Sequence, residues 1–128
     1  MAAQIIIVDD DPLVGGLTLE LLTDAGYAAR LIQDSLKAQE IIKAEKPALV
    51  ILDILMPGLD GVDVCKTMRS DVELADIPVV FVSSLALERL HAVADEAGAT
   101  DYLPKPVALN DLLNVVGEYL QQAEPTAP

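Results

Sequence analysis

The sequence predicts an α/β domain built as a doubly wound, five-stranded parallel sheet with helices on both faces. Three observations carry this expectation. Short apolar runs with no polar alternation recur along the chain, and stretches with helical spacing of apolar residues separate them. Cap and breaker residues mark the joints. A strand without a polar face must be covered on both sides, and strands joined by helices run parallel.

The elements follow in order. "IIIVDD" (5–10) is a buried strand, since four consecutive apolar residues leave no solvent face. "DPLVGGLTLELLTDAG" is a helix with Asp11 as N-cap, Pro12 at its first position and Gly26 as its stop. Gly15 and Gly16 each cost that helix about 1 kcal/mol relative to alanine. "YAARLI" is a modest second strand. "SLKAQEIIKAEK" is a helix begun by Ser35 and ended before Pro47. "ALVILD" is the third strand and "DGVDVCKTMRS" the third helix, with Asp60 and Gly61 supplying turn and helix-start chemistry. "IPVVFVSS" is a fourth strand entered through Pro78. "LALERLHAVADEAGA" is a helix with Gly98 beyond its end, "DYLPKP" a short fifth strand, and "LNDLLNVVGEYLQQ" an amphipathic closing helix. "AEPTAP" has the composition of a linker or frayed tail.

Composition narrows the function classes. At 128 residues the chain makes one domain, and 52% hydrophobic content excludes disorder. No apolar run is long enough for a membrane span, and no basic-then-apolar leader opens the chain. A single cysteine, Cys65, forbids an internal disulfide, so the expected location is cytoplasmic. Cys65 itself reads as a small apolar residue of the third helix. The net charge of −13 opposes direct nucleic-acid binding, which needs Lys and Arg aimed at phosphates. Clustered acids favour a divalent cation instead.

In such sheets ligands bind beyond the carboxyl ends of the strands. The first strand delivers Asp9 and Asp10 to that edge, the third Asp53, the fourth Ser83 and Ser84, and the fifth Lys105. Asp53 there could be a metal ligand, a cap or a nucleophile. Three close carboxylates either share protons or hold a hard cation, and Mg²⁺ (or Mn²⁺) suits oxygen ligands. With a cation present, an ionised Asp53 can attack an electrophilic phosphorus and form an acyl phosphate.

The set "VDDDP", "LDILMPGLDG", "PVVFVSS" and "DYLPKP", in that order, resembles the response-regulator receiver domain of two-component signalling over residues 4 to 121. The resemblance implies a flavodoxin-like sheet of order 2-1-3-4-5, with residues 1–122 as receiver and 123–128 as tail or start of a linker. It implies that Asp53 is the phosphoacceptor, fed by a sensor histidine kinase or a histidine phosphotransfer protein. Asp10, Asp53 and the backbone carbonyl of Leu55 would bind the metal, with Asp9 completing the pocket partly through water. Ser83 matches the switch hydroxyl, Lys105 the lysine that contacts the phosphoryl group, and Pro106 a proline often preceded by a cis peptide. Tyr102 matches the aromatic whose ring turns inward. The face made by the fourth helix, fifth strand and fifth helix would then engage an output domain or protein, and is compatible with a homodimer formed on phosphorylation.

Two departures from the common pattern flank the site. Leu55 and Leu85 stand where faster family members carry polar side chains that orient the attacking water, so a long-lived acyl phosphate is expected. Ser83 replaces the more frequent Thr, keeping the hydroxyl but not the methyl that restricts rotamers. Ser84 reads as a small spacer, and His91 as a partly exposed surface residue. Two rival classes are a phosphate-independent interaction module and a haloacid-dehalogenase-type phosphohydrolase. In the latter Asp9 would be the nucleophile and Asp11 the acid/base, but Pro12, the short chain and an unexplained "LDILMPGLDG" oppose it.

Overall fold

Residues 4–54 and 61–123 are described by a computed structural model. The order of elements is β1 (Ile5–Val8), α1 (Pro12–Asp24), β2 (Ala29–Ile32), α2 (Ser35–Glu45), β3 (Leu49–Asp53), α3 (Gly61–Ser70), β4 (Val79–Ser83), α4 (Leu87–Ala97), β5 (Asp101–Pro104) and α5 (Leu109–Ala123). The five strands form one sheet in the order β2-β1-β3-β4-β5, and every neighbouring pair is parallel.

The unbroken apolar strands are explained by two cores, one on each face. Ile6, Val8, Val50, Leu52 and Phe81 point toward Ala38, Ile42, Val64, Met68 and Leu90 of α2, α3 and α4. The alternate residues Ile5, Ile7, Leu49, Ile51, Val80 and Val82 point toward Leu22 of α1 and Leu112, Val116 and Leu120 of α5. Strand periodicity of two thus sends successive side chains into opposite layers. In α5 the buried set repeats every four residues, a single helical stripe.

The element ends refine the sequence expectations. Asp9 and Asp10, assigned to the first strand, lie beyond it, because Asp9 Oδ1 turns to accept the Asp11 backbone N–H at 2.9 Å. Tyr27 and Ala28 likewise precede β2, and the Tyr27 N–H closes onto Leu22 O at the end of α1. Asp11 caps α1 as expected, accepting from the N–H groups of Leu13 and Val14. The second helix does begin at Ser35, but the cap is Asp34, whose carboxylate accepts from Leu36 N at 3.0 Å. Both helix-ending glycines, Gly26 and Gly98, have positive φ.

The two glycines inside α1 are not equivalent. A Cβ at Gly15 would sit 2.8 Å from Leu31 Cδ1 and 3.2 Å from Asp9 Cβ, whereas one at Gly16 would meet nothing within 4 Å. Gly16→Ala is therefore expected to stabilise the fold by about 0.5–1 kcal/mol, through helix propensity alone. Gly15→Ala is expected to lose that gain to crowding beside Asp9. Urea midpoints of the two variants check this, and equal midpoints would contradict the steric distinction.

Candidate functional site

The carboxyl edge of the sheet gathers the charged residues. Asp53 is the last residue of β3, Asp9 follows β1 directly, and Lys105 follows β5. Lys105 Nζ lies 3.2 Å from Asp53 Oδ2 and 3.4 Å from Asp9 Oδ2, so one ammonium bridges the two strand ends. Both carboxylates are buried, with the lysine partly so. The lysine is held from behind by its own backbone, whose N–H donates to Ser83 O at 2.8 Å.

Electrostatics follow from this burial. Desolvation dominates at Asp9 and raises its pKa. The Asp11 N–H and the Lys105 charge pull the other way, and Asp53 adds repulsion. At Lys105 burial opposes the charged form, yet the carboxylates of Asp53 and Asp9 outweigh it and hold the pKa above the usual lysine value. The ammonium is thus the internal countercharge of the pocket.

Asp9, Asp10 and Asp53 each place one carboxylate oxygen within 4.8 Å of the others. Such a hard, anionic, all-oxygen donor set fits Mg²⁺ or Mn²⁺ and would not suit a soft metal. Leu55, whose carbonyl and side chain both figure in the sequence expectations, lies outside the described residues. So does Asp60.

The remaining sequence-assigned residues surround this cluster. Ser83 is fully buried at the end of β4, where its Oγ accepts the Leu85 N–H at 3.1 Å. Ser84 and Pro106 line a cavity of about 490 Å³ beside Asp53, and its rim on α1 carries the exposed Leu13 and Leu17. The Lys105–Pro106 peptide is cis, as the resemblance implies. Leu85 is half-buried against the α2–α4 core. Tyr102, on β5, lies opposite Phe81 of β4. Asp11 caps α1, its Oδ1 accepting from the Leu13 and Val14 N–H groups.

Three features escaped the sequence reading. Gly61 abuts the backbone of β3's end: a Cβ there would lie 2.6 Å from Ile54 Cα and 2.7 Å from Asp53 O, so only glycine lets α3 approach β3 this closely. Arg69 donates to Gly98 O, Ala75 O, Ile77 O and Thr100 Oγ1 at 2.8–3.2 Å, joining the loops that precede β4 and β5. His91 contacts Tyr102. Of these, only the Asp-Gly pair before α3 left a trace in the sequence, and it gave no hint of the close approach.

Comparisons with known proteins agree with the geometry. The family model described as "Response regulator receiver domain" matches residues 5–117. The chain is 36% identical over 125 residues to the response regulator MprA of Mycolicibacterium vanbaalenii, covering 98% of this chain and 53% of that protein. It thus spans about half the length of the curated relatives it matches. Among solved structures, the BeF3-activated N-terminal receiver domain of Klebsiella pneumoniae RstA is 35% identical with a TM-score of 0.84, covering 92% of this chain and 98% of that one. The signal receiver domain of a histidine kinase from Syntrophus aciditrophicus is 28% identical with a TM-score of 0.87, over 98% and 96% of the two chains. No helix among the described residues is long and apolar enough to cross a membrane.

Proposed function

The chain belongs to the response-regulator receiver family of two-component signalling, and on that premise we propose that Asp53 accepts a phosphoryl group from a phosphohistidine on a partner kinase or phosphotransfer protein. The observation that carries this reading is the bridge from Lys105 to both Asp53 and Asp9, set beside three carboxylates within reach of one cation.

An Asp53 carboxylate oxygen attacks phosphorus, the new O–P bond forms as the P–N bond to the donor imidazole breaks, and the imidazole nitrogen keeps the electron pair. Lys105 already sits at the acceptor and supplies a fixed positive charge to the phosphoryl oxygens. Asp10 and Asp53, with Asp9 at the rear and the Leu55 carbonyl, would hold Mg²⁺, which neutralises phosphoryl charge when bound. Ser83 then exchanges its bond with the Leu85 N–H for one with the phosphoryl group, and the Tyr102 ring turns inward. The α4–β5–α5 face changes its affinity for an output partner, with homodimerisation on phosphorylation as one form of that output. Chemistry of this kind is self-catalysed uptake and slow loss, not turnover of a free substrate. A cytoplasmic setting suits a protein phosphodonor of this type.

Intact-protein mass after incubation with acetyl phosphate, with and without Mg²⁺, tests the reading. One metal-dependent phosphoryl increment is expected. Its decay checks a second expectation: positions 55 and 85 are leucines, whose side chains cannot orient water, so the adduct outlasts the mixing and desalting steps. Loss within seconds in Mg²⁺ buffer would refute the two-leucine account while leaving phosphoacceptance intact. No increment under any condition would favour an interaction module that never takes phosphate.

A further inference from the structure

The phenol oxygen of Tyr102 lies 2.9 Å from His91 Nδ1, and the two rings meet edge to face with centroids 5.4 Å apart at 62°. His91 stands exposed on α4, while Tyr102 is half-buried on β5 and packs at the margin of the core that includes Leu90 and Phe81. Across the ladder from Tyr102 is Phe81, two residues before Ser83 on β4. Aromatic edge contact and hydrogen bond act together here, and both tie the ring to α4.

We infer that His91 is a positioning residue: a latch that holds the Tyr102 ring outward in the resting domain and sets how readily the phosphoryl site switches. The inference rests on the reading of Ser83 and Tyr102 given above. An inward turn of the ring must first break the bond to His91, so the latch adds a fixed bias toward the resting state. The bond does not depend on one protonation state. A neutral imidazole either accepts the phenol proton at Nδ1 or donates from that nitrogen, and an imidazolium donates to the phenol oxygen.

His91 is the single histidine of the chain, so its ring signals in an NMR spectrum are assigned without ambiguity. Tyr102→Phe is expected to move those signals, because the hydrogen bond is lost while the ring remains. Adding Mg²⁺ and beryllofluoride, a phosphoryl mimic, to the unaltered protein is expected to move them in the same direction. His91→Phe, which keeps an aromatic edge but no nitrogen, is expected to speed phosphoryl uptake from acetyl phosphate by about two- to tenfold, the population change that one net hydrogen bond makes.

The latch is overturned if beryllofluoride shifts the backbone amides of Ser83 and Lys105 yet leaves the His91 ring where it was. An unchanged uptake rate in His91→Phe overturns it equally. If neither the amides move nor a phosphoryl increment appears, the receiver reading itself fails and the latch falls with it. A role for His91 in helix stability alone would alter the unfolding midpoint without moving its ring signals on activation.

Discussion

Asp53→Asn is expected to abolish the metal-dependent phosphoryl increment completely while leaving the fold in place. The substitution keeps the shape of the side chain and removes the nucleophilic oxygen, so no acyl phosphate can form at that position. It also removes one of the three carboxylates that converge within 4.8 Å, which weakens the hold on a divalent cation. The structural cost is small because Lys105 retains Asp9 at 3.4 Å and is not left as an unpaired buried charge. Removing the Asp53 charge also relieves the repulsion that helps raise the pKa of Asp9. Intact mass, with circular dichroism to verify folding, reads the outcome. An undiminished increment in Asp53→Asn would move the acceptor to another residue and undo the assignment.

Phe81→Ala is expected to cost about 3–5 kcal/mol of folding stability. Phe81 is the one phenylalanine of the chain and is fully buried in β4, with Leu52 beside it on β3 and Tyr102 on β5. Truncation removes the largest fully buried side chain and leaves a void between the sheet and the helices α3 and α4. A domain of this size has about 5–15 kcal/mol in total, so the loss is a large share of the whole. Phe81→Leu fills most of the volume and should cost less than half as much. Urea unfolding of both variants measures this. Near-equal midpoints would mean that the surrounding helices collapse onto the void.

What could be read in the sequence and what could not have different physical origins. The strands β1, β3 and β4 announced themselves because burial on both faces forces unbroken runs of Ile, Val and Leu, and a charged residue ending such a run is conspicuous. Asp9 and Asp53 were legible for that reason, Lys105 through the Lys-Pro pair that ends the short fifth strand, and parallel pairing then brings their strand ends to one edge. Strand ends were blurred by a residue or two: the Tyr27 N–H closes onto the end of α1, and Asp9 still donates its N–H to Ile32 O while its side chain turns to the Asp11 N–H. The start of α2 at Ser35 was legible, because Asp34 and Ser35 together make a strong helix-start signal, and the Asp34 side chain supplies the cap. The His91–Tyr102 contact was out of reach. It depends on how α4 is rotated and shifted against β5, and no periodicity encodes that to the precision of a hydrogen bond. Arg69 was equally silent, for its acceptors are mostly backbone carbonyls, which have no letter in the sequence.

Arg69 also shows where the molecule keeps its rigidity. Its guanidinium and the Thr100 hydroxyl, which also accepts the Val79 N–H, bind together the entries to β4 and β5. Ser83 and Lys105 stand at the exits of the same strands. β4 therefore has a moored end and a far end beside the charged cluster, separated by buried residues. Substitutions at the rim can change what the edge binds without disturbing the moorings at the base. Such a division lets one scaffold acquire many dialects while its foundations stay as they are.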